Sequence, residues 1–114
     1  MTPHEVTLVR IYLREAENLL DKLLNYLHDD AKVMGVTVVR GIEGFGEDGK
    51  IRAVSLLNLS MDLPLVVEFY DKPDKAKNVI ETLVDEMRLP HVISLPAIGY
   101  QYETGKSNSI IDTL

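Results

Sequence analysis

Residues 41–46 carry the spacing Gly-x-x-Gly-x-Gly, with Gly49, Lys50 and Arg52 close behind, and this is the stretch whose residue types come nearest to ligand chemistry. Such a run binds a dinucleotide only where it opens a helix directly. Here Lys50 to Leu57 continues as a strand-like stretch, so the run reads instead as a loop that orders on binding a ligand or a partner. His4, His28 and His91 lie on a terminus, a helix and a strand start, and no pair has metal-ligand spacing. Asp29 and Asp30 beside His28 point about 100° apart on a helix and suit a charged face better than a metal. Catalysis needs a nucleophile beside a base, or two carboxylates in a cleft; Glu15/Glu17 and Asp85/Glu86 read as surface charge, and no catalytic residue is assigned.

The elements that must position this loop form two similar halves. Val6 to Leu13 is rich in β-branched and aromatic types and reads as a strand. From Ala16 the apolar positions Leu19, Leu20, Leu23, Leu27, Ala31 and Met34 give one helical stripe, with Gly35 as its stop. Val36 to Ile42 is a second strand, followed by a loop over about residues 43–63 in which Ile51 to Leu57 can pair as a ribbon. The pattern then repeats. Leu65 to Tyr70 is a strand, and Pro73 sits at a first helical position. Ala76, Val79, Ile80, Leu83, Val84 and Met87 form a stripe that Pro90 closes, and His91 to Leu95 is the last strand. A polar tail over about residues 103–114 is expected to be mobile.

Two βαβ halves predict an α+β, ferredoxin-like βαββαβ sandwich, with a four-stranded antiparallel sheet in the order 4-1-3-2 and two helices on one face. The 114 residues fit one domain, 1–114, and 46% hydrophobic with 26% charged residues is ordinary globular usage. A formal net charge of −6 with scattered Lys and Arg excludes nucleic acid as the expected partner, and the absence of cysteine excludes thiol and disulfide chemistry. Met1 to Glu5 has no leader character and no apolar run reaches bilayer length, so a cytoplasmic protein without direct membrane insertion is expected.

Both faces of the first two strands are largely apolar, whereas a sheet with one wet face should alternate apolar and polar residues. A second copy of the chain is the expected cover, so homo-oligomerisation follows. Arg10, Glu68 and Arg40 are expected to share that open face as a charged row, with Glu68 between the two arginines.

Val36-Thr37-Val38-Val39-Arg40-Gly41-Ile42-Glu43-Gly44-Phe45-Gly46 resembles the end of the second strand and the start of the T-loop in PII signal-transduction proteins. With Leu59-Ser60-Met61-Asp62-Leu63-Pro64-Leu65-Val66 it resembles a bacterial PII-like family, domain of unknown function 190, over about residues 5–103. The resemblance implies a homotrimer with its sheets facing inward, a small ligand in the clefts between subunits, and a loop base at Gly41, Gly44, Phe45 and Gly46. Together with Arg40, Glu43 and the loop cations Lys50 and Arg52, these are the candidate ligand-binding residues. Adenine nucleotide is the ligand that PII proteins suggest. Glu43, Glu47 and Asp48 oppose a phosphate cradle, and Arg88-Leu89-Pro90-His91 is too short for the second phosphate loop of PII proteins, so no cofactor or metal is assigned. By analogy with relatives found beside ion channels, a membrane transport protein is a partner. The expected function is non-enzymatic regulation. The alternatives are an enzyme whose site, at a subunit cleft, uses Arg40, Glu43, Arg52 and Glu68, and a purely structural oligomer.

Overall fold

Among the described residues, alternating β-branched and large apolar side chains give four strands that form one sheet, and the three/four-spaced leucines and valines give two helices that seal one side of it. The computed structural model describes residues 1–54 and 62–101. The expected mobile tail, and residues 55–61 of the loop with the Ser55 to Leu57 half of its ribbon run, lie outside the described residues. Strand β1 (Thr2–Arg14) leads through a single 3-10 turn to helix α1 (Leu20–Asn25, continued by a π turn at Tyr26–Asp30) and strand β2 (Val36–Arg40). Short strands β3 (Glu43–Gly44) and β4 (Arg52–Ala53) form a ribbon. Strand β5 (Pro64–Asp71), helix α2 (Pro73–Glu81, continued by a π turn at Thr82–Glu86) and strand β6 (Val92–Gln101) complete the second half.

The sheet order is β2-β5-β1-β6, with every pair antiparallel, which is the expected ferredoxin-like order. The core lies between the helices and one sheet face. Val9, Ile11 and Leu13 of β1 and Leu65, Val67 and Phe69 of β5 pack there against Leu23, Leu27, Ala76, Val79 and Leu83.

Three expectations are corrected. The first concerns helix ends. Gly35 and Pro90 are not the stops: Lys32 and Arg88 take left-handed conformations, φ 53° and 58°. Ala31 and Met87 N–H donate to Tyr26 and Thr82 O, and Val33 and Leu89 N–H donate to Leu27 and Leu83 O. A non-glycine residue there costs roughly 1–2 kcal/mol. The satisfied carbonyls and the packing of Val33 and Leu89 against the core offset it.

The second correction concerns strand length, because β1 and β6 run well beyond 6–13 and 91–95. Residues 2–6 pair with residues 97–101 past the edge of β5 and make a two-stranded arm.

The third concerns the charged row. Arg10 Nε donates to Glu68 Oε1 at 2.7 Å, and that hydrogen bond holds the Arg10 pKa above its ordinary value. Arg40 is absent from the row. The register sets Thr37 opposite Glu68 and Arg40 opposite Leu65, so Arg40 points to the helix side, where its Nη2 donates to Glu15 Oε2 at 2.5 Å. The physical reason is the packing of Val36 against the core, which turns Val36, Val38 and Arg40 inward together.

The face away from the helices carries Thr37 and Val39, then Val66, Glu68 and Tyr70, then Leu8, Arg10 and Tyr12, then Ile93 and Leu95. Apart from the Arg10–Glu68 pair and Thr37 it is apolar or aromatic, and Tyr12, Val39, Tyr70, Ile93 and Leu95 are exposed.

Candidate functional site

In an antiparallel sheet of this order, β1 and β2 finish at the end where β5 and β6 begin. The ribbon that follows β2 therefore rises beside the last residues of β1 and the first of β6, and a cleft of about 660 Å³ opens there. Its floor is Leu13, Leu65 and Val92; one wall is the ribbon from Gly44 to Asp48 with Arg52, and the other is Pro90 and His91. Tyr12 and Phe45, both exposed, add two aromatic rings to its lining.

The ribbon is held down by close backbone approach. Gly41 N–H donates to Pro64 O at 2.7 Å, and a Cβ at Gly41 would sit 2.8 Å from Pro64 Cγ and 3.3 Å from Pro64 O. Only glycine fits there. Val54 N–H donates to Ile42 O, and Gly49, at φ 71°, makes the turn that returns the ribbon. Gly41→Val is thus expected to push the ribbon off Pro64 and open the cleft. Hydrogen exchange at Gly44, Arg52 and Val54 should accelerate by about tenfold or more, while Val9 and Phe69 stay protected. Unchanged exchange at those three amides would contradict this.

A four-membered ion-pair chain closes the ribbon against the body. Arg52 Nε donates to Asp62 Oδ2 at 2.8 Å; its Nη2 and Nη1 donate to Asp48 Oδ2 and Oδ1 at 2.8 and 3.2 Å. Arg14 Nη1 donates to Asp62 Oδ2 at 3.2 Å, and Ala16 N–H to Asp62 Oδ1 at 3.0 Å. Hydrogen bonds from Arg52 hold the Asp48 carboxyl well below the usual carboxylate range, and the Ala16 N–H, then Arg52, lower that of Asp62. The chain of pairs is accordingly charged at neutral pH and is lost only as pH falls below the ordinary carboxylate range. Across the cleft, His91 Nε2 lies 4.0 Å from Glu47 Oε1.

Of the sequence-derived site residues, Gly44, Phe45, Gly46 and Arg52 line the cleft. Gly41 anchors its wall, while Glu43 and Lys50 lie on the ribbon without lining it. Arg40 lines a smaller depression with Glu15, Asp21 and Leu65. The four residues of the enzyme alternative do not converge within one chain, since Glu68 meets Arg10, Arg40 meets Glu15, and Arg52 meets two aspartates. Among the described residues no group of three or more His, Asp or Glu could hold a metal ion. Sequence reasoning missed Tyr12, Arg14, Asp62, Pro90 and His91. The strand order alone places all five at this end of the sheet.

A ferredoxin-like sheet backed by two helices, with a ribbon rising after the second strand, is the architecture of the PII-like proteins. The fold matches a PII-like signaling protein of Thermus thermophilus with a TM-score of 0.62 at 16% identity, covering 93% of this chain and 98% of the other. It matches CPII of Thiomonas intermedia K12, a nitrogen regulatory PII-like protein solved with ADP and bicarbonate, with a TM-score of 0.60 at 15% identity, covering 86% and 89% of the two chains. At these identities the likeness shows the fold. Residues 6–97 match DUF190, described as "Uncharacterized ACR, COG1993", and the chain belongs to that family. A UPF0166 protein of Aquifex aeolicus (strain VF5) is 38% identical over 80 residues, 67% of this chain and 76% of the relative.

Proposed function

We propose that the protein is a non-enzymatic PII-like regulatory protein that binds an adenine nucleotide in the cleft at the sheet end and signals its occupancy through the ribbon. The observation that carries this reading is the cleft itself, in which the root of the ribbon, two arginines and two aromatic rings meet the segment before β6. Its volume lies within the range of small-ligand sites. Tyr12 and Phe45 offer faces for a base, and Arg14 and Arg52 offer charge for phosphate. That CPII was solved with ADP, and with ADP and AMP, supports the choice of nucleotide.

In this reading the chain works as a homotrimer whose apolar sheet faces cover one another, and neighbouring subunits complete the cleft. The partner that reads the ribbon is a membrane transport protein. In this reading the protein meets that partner on the cytoplasmic face. No helix among the described residues is long and apolar enough to cross a membrane.

The test is thermal unfolding with ADP, AMP or inorganic phosphate, since a ligand bound only by the folded state raises Tm by mass action. ADP at a hundred times its Kd should stabilise by about 2.7 kcal/mol, with a smaller gain from phosphate alone. No shift with millimolar ADP or AMP would overturn the nucleotide reading.

A further inference from the structure

Arg52 stands on β4 opposite Gly44, at the root of the ribbon, and its side chain is 14% exposed. Its guanidinium has two sides with different partners. The Nε side is fixed by Asp62, which is itself held by the Ala16 N–H and Arg14. The Nη edge holds Asp48 through two parallel hydrogen bonds, and its Nη1 also donates to Lys50 O at 3.2 Å; both acceptors belong to the ribbon turn, where Asp48 otherwise accepts from the Lys50 N–H two residues on. Its side chain is 43% exposed. Arg52 is thus anchored on one side and paired on the other with a replaceable carboxylate. A bidentate carboxylate on a guanidinium edge is also the arrangement in which arginine takes a phosphate.

The acids around the cleft make sense on the same footing. Glu17, Glu47 and Asp48 line it beside Arg14 and Arg52, so an anion entering the closed cleft meets a net negative surface. Glu47 and Asp48 both ride on the ribbon turn. Moving that turn away removes two negative charges and leaves the arginines facing the cleft.

Resting on the reading of the cleft as a site for an anion-bearing ligand, we propose that Asp48 is a built-in stand-in for the ligand's anionic group. The incoming phosphate or carboxylate takes the Nη edge of Arg52, Asp48 is displaced, and the ribbon turn is released from the body. The ribbon then reports occupancy because holding the ligand and holding its own aspartate are mutually exclusive.

The experiment compares wild type with Asp48→Asn and, as a charge control on the same turn, Glu47→Gln. ADP, inorganic pyrophosphate and bicarbonate are titrated by calorimetry, and limited trypsin cleavage after Lys50, in the turn that is released, is followed in parallel. Asp48→Asn should bind ADP about tenfold more tightly, equivalent to about 1.4 kcal/mol. Without ligand it should be cut after Lys50 at the rate wild type reaches only with saturating ADP. Glu47→Gln, which keeps the Asp48–Arg52 pair, should be cut more slowly than Asp48→Asn. A gain shared by pyrophosphate assigns a phosphate-type anion, and one shared by bicarbonate a carboxylate-type anion. Binding by Asp48→Asn where wild type shows none would also support the exchange. If wild type binds ADP and Asp48→Asn binds it no better, or ADP slows cleavage in wild type, the exchange is overturned and the cleft reading stands. An equal gain in Glu47→Gln overturns it too, as a general charge effect. If neither wild type nor Asp48→Asn binds any of the three, the cleft reading fails and the exchange fails with it.

Discussion

Asp71→Ala is expected to lower the free energy of unfolding by about 3 kcal/mol, a large fraction of the stability of a chain this size. Asp71 ends β5, and its side chain is 4% exposed. It accepts the Met34 N–H at 3.2 Å and the Lys72 N–H at 2.8 Å, and Lys75 Nζ lies 3.4 Å away. One carboxylate therefore serves the segment before β2 and the first turn of α2, whose N-cap, Lys72, makes no side-chain cap of its own. Removing it leaves two backbone donors without their acceptor in a site nearly closed to water. Asp71→Asn keeps an acceptor and should cost about half as much. Urea unfolding measures both, with the midpoint moving and the slope unchanged. A loss under about 1 kcal/mol for the alanine variant would mean that water replaces the carboxylate freely.

Leu95→Asp is expected to reduce the proposed assembly to single chains of 12.8 kDa as measured by light scattering. Leu95 pairs with Leu8 on the face away from the helices, and Ile93 and Tyr70 extend the same surface. A carboxylate in such an interface would be desolvated without a partner, a cost that an assembly cannot absorb without rearranging. The protomer should remain folded, because Leu95 lies outside the core. A variant that keeps the wild-type mass, or a wild type already at one chain, would show that another surface joins the subunits or that none does.

Most of the fold was legible because periodicity reports faces. The stripe positions Leu23, Leu27, Val79 and Leu83 are all buried, and the strand order follows from two βαβ units in tandem. Periodicity does not say which face is inside. Arg40 was assigned to the open side because alternation in β2 is nearly symmetrical, and only the packing of Val36 settles the phase. The arm was invisible for a different reason: Pro3, Pro96 and Gly99 weaken strand propensity, and cross-strand pairing supplies what local preference lacks. At the cleft, the glycine-rich segment and Arg52 could be singled out by type. The Asp48–Arg52–Asp62–Arg14 chain could not, since its Arg14–Asp62 link joins residues 48 apart in sequence and all three links depend on side-chain geometry.

The length of β1 has a mechanical consequence. Its thirteen residues form one beam of about 40 Å, with Arg14 beside the cleft at one end and the arm at the other. β6 runs alongside in the opposite direction, from Ile93 at the cleft to Gln101 in the arm, and the two strands are cross-braced over residues 2–11 and 92–101. Residues 7–14 of β1 are also paired to β5, and Val9, Ile11 and Leu13 are buried in the core, so the pair is clamped at its cleft end and stands clear only where residues 2–6 and 97–101 run past β5. The arm is therefore a cantilever, and bending concentrates at its root, at Thr7 and Pro96, where the third strand stops.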